Sequence, residues 1–174
     1  MIISKLLIKN FRCFASKSLT FNNTIVIIPG PNGSGKSSLF EAFYYLCYLK
    51  SPRTLNVKEL LHFNTDTFSL ALEGKKKINN DNDDHNNSWT IHIGVSPEQK
   101  RIKINERKVS SYKQLFDHYK VLLLTQDDLM IIKGLPELRR SFIDQAIFLI
   151  DPHYISLIKN YRKILKQRNA LLEN

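Results

Sequence analysis

Short stretches of alternating apolar and polar residues fill the first two thirds of this chain, and a helical rhythm takes over at its end. Residues 1–9 alternate loosely around Ile3, Leu6, Leu7 and Ile8 and predict a strand, and residues 17–21 predict a second. Between them, 10–14 is too short for a helix and sets Arg12 between Phe11 and Phe14. Residues 24–28 form a continuous β-branched run, the pattern of a strand buried on both faces. From Lys36 to about Leu49 the apolar positions cover more than one stripe, which predicts a largely buried helix ending near Ser51-Pro52. Residues 68–72, 89–95 and 100–104 read as a mainly antiparallel set of strands. A short amphipathic helix at 110–119 and a buried strand at 121–124 follow. Gly134-Leu135-Pro136 opens a helix with Leu138, Phe142, Ile143, Ala146, Ile147 and Ile150 on one side. Asp151-Pro152 opens another, in which Tyr154, Leu157, Ile158, Tyr161, Ile164 and Leu165 keep the i, i+3, i+4, i+7 spacing toward the chain end.

Composition changes this picture in two places. With 174 residues, 43% apolar and 24% charged, the chain fits one core, or one domain with an appendage. No window reaches 18 uninterrupted apolar residues, and the N-terminus lacks the basic-then-apolar order of a signal peptide, so a cytoplasmic protein without a membrane partner is expected. The net charge of +10 is uneven: residues 1–60 carry eight Lys and Arg against two acids, and 101–174 carry fourteen against eight. Such an excess favours a polyanionic partner such as DNA or RNA, or simply solubility. Cys13 and Cys47 have no metal-ligand spacing and read as free thiols. The Asn- and Asp-rich run at 79–87 fails as a calcium loop, because positions six and twelve from Asp81 are Asn86 and His92. A flexible hairpin insertion over about 75–88 is expected instead.

The chemistry concentrates in Gly30-Pro31-Asn32-Gly33-Ser34-Gly35-Lys36-Ser37, between the apolar run and the first helix. It matches G-x-x-x-x-G-K-[ST] in the strand–turn–helix context of a phosphate-binding loop. Its glycines let backbone N–H groups turn inward, and the following helix adds partial positive charge at its N-terminus. Lys36 would reach the β- and γ-phosphates and Ser37 would ligate Mg²⁺, with Ser38 completing the loop. Elsewhere, Gln126-Asp127-Asp128 ends an apolar run and reads either as a reach toward Mg²⁺ or as a polar turn. Arg139 and Arg140 occupy a first helical turn, where cations oppose the dipole, so something other than helix stability favours them. Lys159, Arg162, Lys163, Lys166 and Arg168 decorate the last helix, which reads as a coiled-coil stem, a lid helix, a DNA-contacting surface or a solvated face.

Taken together, Lys9-Asn10-Phe11-Arg12, the loop at 30–37, Lys50-Ser51-Pro52-Arg53-Thr54, Gln126-Asp127-Asp128-Leu129, the Gly134…Arg139-Arg140…Asp144 block and the Tyr161…Lys166-Gln167-Arg168-Asn169 block resemble the bacterial RecF family. These are DNA replication and repair ATPases with an ABC-type head, related to the SMC-like proteins. The resemblance implies an α/β P-loop head with parallel core strands and an antiparallel β subdomain over 1–134, followed by the start of a helical lobe over 135–174. It implies ATP and Mg²⁺ as cofactors and an ATP-held homodimer. It also implies binding to single-stranded DNA or single-strand/double-strand junctions, and recombinase loading with mediator proteins in gap repair and the SOS response. It places Arg12 near the nucleotide and Gln126 in the loop that senses the γ-phosphate and metal, where the family more usually reads Pro-Glu-Asp-Leu.

Nothing in the 174 residues resembles the ABC signature motif, and no apolar strand ends in the Asp-Glu pair that would hold Mg²⁺ and orient water. The chain therefore reads as the N-terminal half of a RecF-like protein, an incomplete head. A weak ATPase is implied for the complete protein and negligible hydrolysis for this chain. Two other readings share the early motifs: another SMC-like or ABC-type head, and a small P-loop nucleotide-binding module without a DNA role.

Overall fold

A computed structural model of the chain describes residues 2–75, 88–109, 120–151 and 153–172. The helix expected at 110–119 and nearly all of the insertion expected at 75–88 lie outside them. The described residues fall in two compact units, Met1–Leu123 and Leu124–Asn174.

In the first unit the alternating segments become six strands: β1 (Ile2–Phe11), β2 (Phe14–Thr20), β3 (Phe68–Lys75), β4 (Ser88–Val95), β5 (Lys100–Ile104) and β6 (Arg107–Lys108). They form one antiparallel sheet in the order β2-β1-β3-β4-β5-β6. Register follows the period-2 pattern, since a slip of one residue would move every apolar side chain to the wrong face. Leu6, Leu72, Ile91 and Ile104 stand in one cross-strand row, and Ile8, Leu70, Ile93 and Ile102 in the next. All eight are buried. The looser alternation at the start of β1 is a register shift between Ile3 and Lys5. Asn105 and Glu106 turn β5 into β6 with φ of 47° and 61°, the left-handed pair that a tight hairpin requires.

Helix α1 (Lys36–Tyr48) lays Leu39, Ala42, Tyr45, Leu46 and Cys47 on this core. Phe11, Tyr45 and Phe68 meet there, with ring centroids 5.1 Å apart for Phe11–Phe68 and 5.3 Å for Tyr45–Phe68. The helix stops before the proline, at Leu49, whose left-handed backbone returns its N–H to the Tyr45 carbonyl.

Two expected strands are corrected. Residues 24–28 and 121–124 belong to no ladder among the described residues, and Ile25 and Ile27 are more than four-fifths exposed. A run apolar on both faces also needs a hydrogen-bonded neighbour on its edges, and neither run finds one among the described residues. All the described ladders are antiparallel, so the parallel part of the expected core is not formed by these residues.

The second unit is helical: a 3-10 turn at Gln126–Leu129, then α2 (Met130–Lys133), α3 (Pro136–Ile150) and α4 (Tyr154–Leu172). Pro136 stands at the first turn of α3, where its missing N–H costs nothing. No helix among the described residues is long and apolar enough to cross a membrane.

Candidate nucleotide site

Residues 30–35 bend back on themselves and hand the chain directly to α1, whose first residue is Lys36. Gly35 has φ of 91° and Gly33 of 84°, backbone that L side chains rarely adopt. At Gly35 space forbids a side chain as well: a Cβ would lie 2.7 Å from Cys13 Sγ and 2.8 Å from Phe14 Cζ. The β1–β2 turn is thus packed against the loop. Lys36 Nζ donates to the carbonyls of Gly30 at 2.6 Å and Pro31 at 2.8 Å, drawing the ammonium across the loop. Ser34 N–H donates to the Pro31 carbonyl at 3.3 Å. Asn32, Gly33, Ser34 and Ser37 are exposed, and Lys36 and Ser38 are half-buried. The loop thus leads into the N-terminus of a 13-residue helix with an ammonium drawn across it, a setting that favours an anion. Among the described residues there is no group of three His, Cys, Asp or Glu that could hold a metal.

Arg12 stands at φ 51° in the β1–β2 turn. Its guanidinium points into the protein. Nε and Nη2 donate to the two oxygens of Glu41 at 2.9 and 2.7 Å, and Nη1 donates to the Glu59 carbonyl at 2.7 Å. Glu41 is 1% exposed. Ser51 Oγ donates to it at 2.5 Å and in turn accepts the N–H groups of Arg53 and Thr54. Arg53 Nη1 lies 3.6 Å from the same carboxylate. One buried carboxylate therefore ties the β1–β2 turn and the 50–54 loop to the helix that follows the phosphate loop. A fork-to-fork Arg–carboxylate pair fixes geometry as well as charge. Glu41 was missed in the sequence, although its signal was visible: an acid on the face of α1 that otherwise holds Leu39, Ala42 and Tyr45.

Gln126 begins a 3-10 turn in the second unit, and its side chain lies outside those described. Thr125 N–H and Oγ1 both donate to Asp128 Oδ2, so Asp128 supports this turn. The first-turn arginines of α3 now have a physical reason. Arg139 donates to the carbonyls of Ile131 and Ile132 at 2.9 Å, satisfying the end of α2, and Arg140 pairs with Glu137 at 2.6 Å.

The family model described as AAA domain matches residues 5–174. The DNA replication and repair protein RecF of Natranaerobius thermophilus is 35% identical over 176 residues, covering 99% of this chain and 44% of the relative. The chain belongs to the AAA domain family and is a RecF homologue. RecF of Bacillus cytotoxicus is 33% identical, with the same coverage. A solved structure of the recombination mediator protein RecF with ATP in the RecFOR pathway superimposes with a TM-score of 0.80 at 28% identity, over 99% of this chain and 44% of that one. An SMC ATPase structure matches with a TM-score of 0.66 at 21% identity over 83% of the chain, a likeness of fold. The chain spans less than half the length of the RecF relatives it matches, and its α/β architecture is that of an ABC-type ATPase head.

Proposed function

We propose that the chain binds ATP with Mg²⁺ at residues 30–38 and supplies the P-loop lobe and the start of the helical lobe, divided near 134–135, of a RecF-type DNA repair and replication protein. The observation that carries this reading is the phosphate loop itself, with its two left-handed glycines and Lys36 drawn over Gly30 and Pro31. Lys36 would exchange those carbonyls for β- and γ-phosphate oxygens. The N–H groups at the start of α1 would hold the remaining phosphate charge, and Ser37 would ligate Mg²⁺. Arg12, its guanidinium held by Glu41 and the Glu59 carbonyl, would lie near the nucleotide in the turn packed on Gly35, and Gln126 would sense the γ-phosphate and metal.

In the complete protein, ATP would hold two protomers together, and the dimer would bind DNA at single-stranded or junction sites in the cytoplasm. With mediator proteins it would promote recombinase loading in gap repair and the SOS response. Phosphoryl transfer needs positioning and charge neutralisation from several parts at once. The signature motif and the Asp-Glu strand end do not occur in these 174 residues, so this chain binds ATP without appreciable turnover.

Titration with a fluorescent ATP analogue, with and without Mg²⁺, tests the reading. Saturable binding by the wild type and a loss of about tenfold or more in Lys36→Ala are expected, since charge-assisted bonds to phosphate contribute about 1.5–3 kcal/mol. Absence of saturable binding by the wild type would sink it. Rapid ATP turnover abolished by Lys36→Ala would overturn the claim of negligible hydrolysis.

A further inference from the structure

Arg12 adopts a left-handed backbone, φ 51°, that a long side chain rarely takes. Three sets of bonds hold it there. Its N–H donates to the Leu60 carbonyl at 2.8 Å, its own carbonyl accepts from His62 Nδ1 at 2.8 Å, and its guanidinium is divided between the two Glu41 oxygens and the Glu59 carbonyl. Backbone strain over-determined by its surroundings in this way clusters at functional sites. The two residues that follow connect it to one. Cys13 and Phe14 lie against the Cα of Gly35, where a Cβ would stand 2.7 Å from Cys13 Sγ and 2.8 Å from Phe14 Cζ. Gly35 is the N-cap of α1, and its carbonyl accepts the Leu39 N–H at 2.9 Å. Glu41 is buried further along the same helix. The contacts therefore close a ring that runs from Arg12 through the Cys13-Phe14 turn, Gly35 and α1 to Glu41, and back to Arg12.

We propose that Arg12 and Glu41 are a positioning pair for ATP: through this ring they hold Gly35, and with it the N–H groups at the start of α1, in the conformation that receives phosphate. Arg12 then acts through Glu41 and not as a phosphate ligand. Each of its three guanidinium nitrogens already donates to a protein oxygen, and two of those bonds end on one carboxylate in the fork geometry that fixes direction as well as charge. Turning Arg12 out toward a phosphate would leave Glu41, 1% exposed, with Ser51 and with Arg53 at 3.6 Å. A buried charge so poorly compensated is strongly disfavoured. Gly35, at φ 91°, gains most from such a brace, because glycine otherwise populates many backbone conformations. A loop ordered before the ligand arrives binds it more tightly, since the ordering cost no longer opposes association.

This inference rests on the ATP-binding reading above and assigns to that site two residues outside its loop. Titration of the whole chain with a fluorescent ATP analogue and Mg²⁺, and displacement by inorganic tripolyphosphate, tests it in Arg12→Gln, Glu41→Gln and the double variant. Each single variant is expected to lose roughly three- to tenfold in affinity, and the double variant no more than about twofold beyond the weaker single, because the pair acts as a unit. Tripolyphosphate should lose by the same factor, since the brace acts on the phosphate loop. Arg12→Lys, which returns one cationic donor to Glu41, should recover part of the loss. In the nucleotide-free protein the Gly33 and Gly35 amide resonances should move in both single variants, whereas loss of a direct phosphate ligand would leave them in place. Ile102→Val, buried in β5, is the control and should keep wild-type affinity and glycine resonances. Unchanged affinity in Glu41→Gln, or tighter binding as Arg12 is released to phosphate, overturns the proposal, and so does an equal loss in the control. Equal costs of Arg12→Gln with and without Glu41, with unmoved glycine resonances, would make Arg12 a ligand in its own right and overturn it too. Should Glu41→Gln fail to fold by circular dichroism, Arg12→Gln, its lysine counterpart and the glycine resonances decide the same question. If the wild type binds the analogue and the variants match it, the role of the pair fails and the ATP reading stands. If the wild type binds neither the analogue nor tripolyphosphate, the ATP reading fails and the proposal with it.

Discussion

The two units of this chain use apolar residues to opposite effect. The sheet unit closes its own core: among the described residues, nineteen apolar side chains form one buried cluster between α1, the sheet and the loop at Leu60. In the helical unit no described residue is buried, and Phe142, Ile143, Leu157, Ile164, Leu171 and Leu172 are each about half exposed or more. The difference lies in geometry, since both segments are strongly patterned. A sheet face offers a broad surface that one helix can cover, whereas each helix here presents a stripe that needs a partner wider than its neighbour. Polar bonds join α3 to α4: Asp144 accepts from Tyr154 Oη at 2.7 Å and from Arg162 Nη2 at 3.2 Å.

The largest expected effect breaks the comparison outright if it fails. Leu72→Ala, at a fully buried position in the middle of the sheet, should cost about 2–5 kcal/mol in urea unfolding. Ile164→Ala, at an exposed position on α4, should change stability by no more than ~0.5 kcal/mol. Thiol labelling supplies an independent reading of the same core. Cys13 is exposed, whereas Cys47 is buried and its pKa is raised by that burial. Cys13 should therefore label at once, and Cys47 only as the sheet unit opens. Equal costs for the two substitutions, or prompt labelling of both thiols, would mean that the units do not differ in this way.

A polar test of the core comes next in size. Glu41→Ala would leave Arg12, whose side chain is 18% exposed, without its carboxylate, and would also remove the acceptor of Ser51. Breaking a buried pair in this manner costs about 3–5 kcal/mol, and the residual hydration of Arg12 lowers the expectation to roughly 2–3 kcal/mol in the same urea titration. A near-neutral result would show that the network is dispensable to the fold.

Much of this contrast was legible in the sequence, for reasons that differ by region. The period-2 pattern of 68–72, 89–95 and 100–104 determines face and register locally, and α1 and the two long helices follow from apolar spacing with proline or glycine punctuation. The phosphate loop was readable because glycine, lysine and serine at fixed spacing have few other uses. Residues 24–28 and 121–124 misled because composition reports burial preference but not whether a hydrogen-bonding neighbour exists. Glu41 was overlooked for the converse reason. A lone acid on a helix reads as solvated until the fold brings Arg12, 29 positions away, against it. The opposed arginines at 139 and 140 were flagged by the helix dipole, and only the placement of α2 explains Arg139.

Within the helical unit the expected effects are small, and they sharpen the claim that polar bonds order it. Arg139→Ala removes donors from the carbonyls of Ile131, Ile132 and Gly134, all at an exposed site. About 1 kcal/mol of local stability should be lost, read as faster amide hydrogen exchange in α2 with the sheet unit unaffected. The subtlest test uses pH. The Tyr154 pKa is raised, first by its hydrogen bond to Asp144, with smaller contributions from desolvation and the Asp144 charge, against a lowering by Arg162. A folded-state pKa above the unfolded value means the protonated phenol is the form that the fold favours. The contribution is therefore fully present below the ordinary tyrosine value near ~10 and is lost as pH rises through the folded value. Ultraviolet titration should show one phenol ionising late that is missing in Tyr154→Phe, and α3–α4 amide protection should fall with alkaline pH in the wild type more than in that variant. Identical alkaline profiles for the two proteins would show that the Asp144–Tyr154 bond does not order these helices.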